Sequence, residues 1–491
     1  MNQIYIIKRR WILFFILIFL AEVKQTALAQ VKSKLIPFTY LPDISADQYN
    51  QRIRRKTLPD AAGNFVCLGR KSTTEYEVAY YTSDLKKLWQ TSIILAPSED
   101  LEAFDRNEQN IWVLTHQKSS DGTSQQLYGH VIALKNGQKS EPQKLFAAPG
   151  KSRRIGTAVS PDGSKLMAYQ YIYEQDQLKA ISATVYDSNL TKIKDQNYSF
   201  RDLTGIQSAK VQLDNAGNQY VALVTNNATK ISVRRYNNTD TQINGQDIQL
   251  GGVFNGEKVY ILDAQFIAQP DSTVYAAAIC ADDKTGAYHS LKVVKFDFAK
   301  NDLKFAPEFR FTPQYLAEVN KLLPAGTTPV KKLEDISLAE LVISTDKDVL
   351  VIAEKKYNES LKQPYIAQEM HLFAYDSFLN PAWHSVIDKN QSAPPAAGFA
   401  GISYRSQLWG QELQILTLET RNGKTDLFNR TINLKNGTSG KLQALGLQLN
   451  SNDETTYLKD YTAWLNAKTL VSVTKATKKT GTLQLSRLTF K

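Results

Sequence analysis

From about residue 60 to the C-terminus, short runs rich in Val, Ile, Tyr, Leu and Thr alternate with polar stretches carrying Asp, Asn and Gly. Long segments of helical periodicity are almost absent, so the pattern predicts an all-β chain. The stretch "AVSPDGSKLMAYQY" (158–171) is the template: a strand, a tight turn and a second apolar strand. Pro161 presets φ for the second position of the turn, Asp162 can accept from nearby backbone, and Gly163 takes a positive φ at no steric cost. Related hairpins carry Asp60, Asp105, Asp214, Asp271 and Asp346, and two weaker ones span 404–416 and 464–473.

A second repeated segment follows each hairpin after roughly 20 to 30 residues, a spacing suited to a unit of several short strands. It reads "YYTSDLKKLW" (80–89), "VYDSNLTKI" (185–193), "RYNNTDTQI" (235–243), "KFDFAKNDL" (295–303) and "AYDSFLNPAW" (374–383). Trp89 and Trp383 stand at the same offset from Tyr81 and Tyr375, so they are expected at equivalent packing positions. Counting the strands around both segments gives eight units of four strands, with a period of about 50 to 60 residues, typical of propeller blades. The last unit stops at its third strand, and "SKLIPFTYL" (33–41) is a strand without a unit. Both fit an eight-bladed β-propeller whose final blade is completed by the N-terminal strand. Seven blades remain open if the two weak units merge, and a pair of β-sandwiches is the other all-β arrangement.

The "SPDGSKLMAY" hairpin resembles the repeats of bacterial periplasmic β-propellers of the TolB, WD40-like type. The other hairpins do so more loosely, and the Trp-Asp dipeptide of true WD40 blades is absent. The resemblance implies a propeller and no particular chemistry.

One segment breaks the period. In "TPQYLAEVNKLLP" Thr312 can cap a helix, Pro313 suits its first position, and Tyr315, Leu316, Val319, Leu322 and Leu323 form an apolar stripe. This predicts a helical insertion near 312–342 lying over one face. Ahead of the repeats, Lys8, Arg9 and Arg10 precede the apolar run 11–20, and "ALA" ends at Ala29. That is the pattern of a cleaved signal peptide, 1–29, and it implies a periplasmic or extracellular chain, 30–491, with no transmembrane segment after cleavage.

Composition adds less. The net charge of +11 favours acidic partners, but no nucleic-acid-binding signature accompanies it. Only Cys67 and Cys280 occur, and opposite blades of an eight-bladed ring hold them too far apart for a disulfide. His116, His130, His289, His371 and His384 show no metal-ligand spacing, and neither a nucleophile elbow nor an EF-hand loop is present. The sequence therefore gives no reason to assign catalytic residues, a metal or a cofactor.

Topology turns the basic residues into a candidate surface. In a four-stranded meander the Asp-bearing turns share one face, while the second-to-third loops and the blade-to-blade crossings share the other. Arg52, Arg54, Arg55 and Lys56 lead into the first blade, and Arg70 and Lys71 begin its second-to-third loop. Lys475, Lys478 and Lys479 occupy the matching loop of the last blade, and Lys151, Arg153 and Arg154 lead into the third. These residues predict an electropositive patch at the channel mouth, suited to the carboxylate, sulfate or phosphate groups of an anionic glycan or an envelope protein. The expected function is non-enzymatic binding. A carbohydrate-active enzyme, glycosidase or lyase, is the alternative and requires two converging carboxylates.

Overall fold

In the computed structural model, residues 31–41, 53–239, 242–254, 256–323, 329–447, 449, 456–475 and 483–490 are described. They form eight antiparallel sheets arranged as an eight-bladed β-propeller. Blades 1 to 7 span 57–94, 99–149, 156–199, 208–249, 252–310, 336–393 and 404–444, and blade 8 combines 457–489 with 32–37. The four main strands of each blade are named a to d from the channel outward. The weak seventh and eighth units are separate sheets, because each of their strands finds its ladder partner within its own unit.

The ring closes where the orphan strand predicts. Lys32–Pro37 pairs antiparallel with Leu483–Thr489, from Lys32 opposite Thr489 to Pro37 opposite Gln484. The same segment then crosses to blade 1, with Phe38 N donating to Leu483 O at 2.9 Å and Leu41 N to Arg70 O at 3.0 Å. Phe38 and Tyr40 set their rings edge-on against Tyr461, at 5.1 and 5.4 Å between centroids.

A blade is too thin to bury a core of its own, so the apolar positions on its two faces must be covered by neighbours. Eight apolar clusters accordingly fill the eight seams between adjacent blades. Two seams use one device. Trp89 donates its indole N–H to Leu134 O at 2.9 Å, and Trp383 donates to Leu434 O at 2.7 Å. Each indole lies against a turn glycine of the next blade, Gly137 or Gly437, where a Cβ would sit 2.7 Å from the ring.

The template hairpin, 158–171, is a structural corner. The Asp162 carboxylate accepts from Ser164 N at 2.9 Å and from the Ser160 hydroxyl at 2.7 Å. Gly163 has φ +67°, and a Cβ there would lie 2.2 Å from Arg106 O. Both the backbone conformation and the adjacent corner of blade 2 therefore require glycine. The outer turns repeat a different device: Leu85, Leu190 and Leu379 adopt φ of 62°, 63° and 68° while their side chains are buried. Seam packing offsets the steric cost of that conformation.

The helix α1, Pro313–Asn320, is capped by Thr312, whose hydroxyl accepts from Tyr315 N at 3.3 Å. Tyr315 and Val319 extend the seam between blades 5 and 6, and the Tyr315 hydroxyl meets His371 Nδ1 at 2.7 Å. Burial pushes the His371 imidazolium down to about 3, so this ring is neutral.

Cys67 and Cys280 lie on the b strands of blades 1 and 5, both buried and both free. Burial pushes their thiols up, to about 12 and about 11. We expect an alkylating reagent at pH 8 to leave the folded chain unlabelled and to label two thiols in denaturant without reductant. Labelling of the native chain at either position contradicts that burial.

Candidate functional site

Each a strand begins at the channel mouth, where the blade-to-blade crossing delivers it, so residues just before and just inside these strands surround the opening. At the seam, residues 53–56 are strapped across blades 7 and 8. Ile53 is buried, Lys56 N donates to Asp460 O at 2.8 Å, and the Lys56 ammonium lies 3.5 Å from the Asp460 carboxylate. Arg405 ties the strap down, donating to Lys459 O at 2.9 Å, to the Asp460 carboxylate at 3.1 Å and to Arg54 O. Lys56 is thereby an interior residue, while Arg54 and Arg55 face outward.

The other basic residues divide in the same way. Arg55 meets Asp105 at 3.4 Å, Lys71 meets Glu77 at 3.3 Å, and Arg154 bridges Glu102 at 2.6 Å and Asp100 at 3.3 Å. Arg70 and Lys475 are half-buried at the ends of the b strands of blades 1 and 8. Arg153 is exposed, its guanidinium carbon over Tyr173 at 4.6 Å from the ring centroid, and Lys151 is exposed two residues before it. Arg52, Lys478 and Lys479 lie outside the described residues. Arg54, Lys151 and Arg153 have no acidic partner among the described residues. The field of Arg54 reaches Lys210 on blade 4, whose ammonium is pushed down chiefly by burial and further by Arg54, against the pull of Asp263.

A second charged group, in the sector of blades 6 to 8, was not singled out from the sequence. Glu354, on strand b of blade 6, is fully buried and meets the equally buried Lys389 at 2.8 Å. Ser403 donates its hydroxyl to Glu354 at 2.6 Å and holds a φ of 78°. Gln391 fastens that backbone, accepting from Ser403 N at 2.8 Å and donating to Ser403 O at 3.0 Å. Burial alone raises a carboxyl; Lys389, Lys356 and Ser403 outweigh it and hold Glu354 below the usual carboxylate range. The available signal was a lone acid in the apolar run "VLVIAEKKY" (349–357), a buried polar position that demands a partner.

The channel wall also carries Lys459 and Glu340. Lys459 is half-buried and donates to Ile402 O at 2.7 Å. Burial, with the cations of Arg405 and Lys356, overrides Asp460 and Glu354 and brings its ammonium down to about 7. Glu340 accepts from the hydroxyls of Ser406 and Tyr404, yet burial keeps its carboxyl above the usual range.

Two cavities flank the 6-to-7 crossing and share Asn390. One, of about 140 Å³, is lined by Gln391, Ile402, Glu419, Thr456 and Tyr457 among others. The other, of about 280 Å³, lies between the end of α1 and blade 6, against Glu369 and Lys389. Among the described residues no group of three or more His, Cys, Asp or Glu side chains could hold a metal ion, and no helix is long and apolar enough to cross a membrane. The arrangement can neutralise and hydrogen-bond an anion at the mouth.

No protein-family model and no curated protein matches the chain. Solved structures resemble it only distantly. A polysaccharide lyase gives a TM-score of 0.41 at 11% identity over 80% of this chain and 90% of its own. A eukaryotic initiation factor gives 0.36 at 11% identity over 79% and 87%. A putative 6-phosphogluconolactonase from Bacteroides fragilis gives 0.35 at 11% identity over 69% and 84%. Likenesses of this size carry no argument about activity.

Proposed function

We propose that the chain is an exported, non-enzymatic β-propeller of the TolB-like kind that binds an anionic glycan across the face bearing its blade-to-blade crossings. One observation carries this reading. On that face Asp100, Glu102, Glu354 and Asp460 each hold a cation, whereas Arg54, Lys151 and Arg153 lack an acidic partner among the described residues. Spare positive charge beside an exposed aromatic, Arg153 over Tyr173, suits a ligand with acid groups on an otherwise neutral ring. Loops on a rigid scaffold are also the usual carriers of binding residues.

The test is titration with polygalacturonate and with a sulfated galactan at increasing NaCl. We expect affinity to fall with salt and to drop at least tenfold in the Arg54→Glu, Arg153→Glu double variant, with melting unchanged. Equal affinity of parent and variant overturns the reading. Shortening of the polymer supports instead the carbohydrate-cleaving alternative, for which Glu340 is the first residue to change.

A further inference from the structure

Lys459 sits where the interior charge does not balance. Asp460 on its own strand already holds Lys56 at 3.5 Å and Arg405 at 3.1 Å. Glu354, facing it from strand b of blade 6, already holds Lys389 at 2.8 Å. Lys356 from that same strand and Arg405 from strand a of blade 7 face it with like charge. Five basic side chains, Lys56, Lys356, Lys389, Arg405 and Lys459, thus gather around the carboxylates of Asp460 and Glu354 beneath the 6-to-7 crossing; of the two further acids there, Glu419 is held by Arg421 at 2.6 Å and Glu340, near Arg405, is kept toward its protonated form by burial. An ammonium has three N–H donors, and among the described residues the acceptor found for this one is Ile402 O.

A surplus of buried positive charge is relieved in one of two ways: a lysine gives up its proton, or an anion enters. Solvent reaches all three groups, since Lys459 is half-buried and the side chains of Arg405 and Lys356 keep 19% and 34% of their exposure. We infer that Lys459, Arg405 and Lys356 form an inner oxyanion site at the channel mouth, and that a carboxylate or sulfate group of a glycan bound there is accompanied by a proton taken up on Lys459.

The inference rests on the proposed anion-binding reading and deepens it. The ligand-free Lys459 amine, brought down to about 7 by burial and by Arg405 and Lys356, is mostly neutral at pH 7.5. An oxyanion supplies the missing acceptor and charge, the lysine regains its ordinary basicity, and one solvent proton joins the nitrogen lone pair. Binding therefore weakens as pH rises through the ligand-free value, because the unliganded state must first recover that proton.

Calorimetry with galacturonate oligomers and, separately, with a sulfated disaccharide tests this in two buffers of different protonation enthalpy. The expected result at pH 7.5 is uptake of about 0.8 proton per ligand, with affinity falling about 30-fold from pH 6 to pH 8.5. The arm with the tighter affinity identifies the oxyanion. Lys459→Arg, permanently charged, should still bind, with no uptake and a flat pH profile. Binding by the parent without proton uptake overturns this inference and leaves the outer basic face standing. Failure of both ligands to bind overturns both. An NMR titration of the ligand-free Lys459 amine near pH 7 supports the inference without any ligand, and a midpoint above 9 overturns it.

Discussion

Replacing Lys389 with methionine is expected to lower the unfolding free energy by about 3–5 kcal/mol, because it leaves the Glu354 carboxylate buried without its nearest cation. Both side chains are fully buried, and the remaining Lys356 stands 3.9 Å away with a third of its side chain exposed. The second replacement, Glu354→Met, should restore most of the loss, since two apolar side chains of similar length need no solvation. Equilibrium denaturation of parent, single and double variants measures this. A single variant within about 1 kcal/mol of the parent would show that water reaches the pair.

The same pair gives a pH dependence of definite sign. The folded Glu354 carboxyl is held below its ordinary value, so its contribution is complete above that value and is lost as pH falls through the lower folded one. The parent should therefore lose stability on acidification below about pH 4.5, and the double methionine variant should lose less over the same interval.

The second large effect is expected at the ring closure. A chain lacking residues 31–41 loses the six-residue ladder on Leu483–Thr489, the bonds from Phe38 and Leu41, and both rings packed on Tyr461. It also exposes the edge of strand c of blade 8, a template for pairing between molecules. We expect the truncated protein to melt well below the parent and to self-associate, and a synthetic 31–41 peptide added in trans to restore a monomer. Phe38→Ala in the full chain isolates the packing share, at about 2 kcal/mol for a half-buried aromatic. Sedimentation and thermal melting decide the matter. A monomeric truncated chain that melts with the parent shows that closure contributes little.

These two regions show how far the sequence could be read. The orphan strand 33–41 and the three-strand last unit were each incomplete alone and complete together, so closure followed from counting ladders. The Asp-bearing corners and the paired tryptophans were legible because turn chemistry and seam packing act through neighbours in the repeat. The charges at the mouth were legible as positions and not as partners. Lys56 belonged to the basic run before blade 1, yet it is buried against Asp460, 404 residues away. Arg154 belonged to a basic cluster, yet it is neutralised by Glu102 and Asp100 of the preceding blade. Glu354, Lys389 and Lys459 come from three different segments and share no spacing that a linear pattern could expose.

The sequence by itself determined the strand period, the turn face and the seam positions, because each depends on residues within one unit or the next, whereas the choice of eight blades over seven came from the separate ladders of the last two sheets. Which basic residues stay exposed, and where buried charge gathers, only the closed ring decided. Solvation and ion pairing depend on distances between segments remote in the chain, within blade 6 for Glu354 and Lys389, between blades 2 and 3 for Arg154, and across the closure for Lys56 and Asp460.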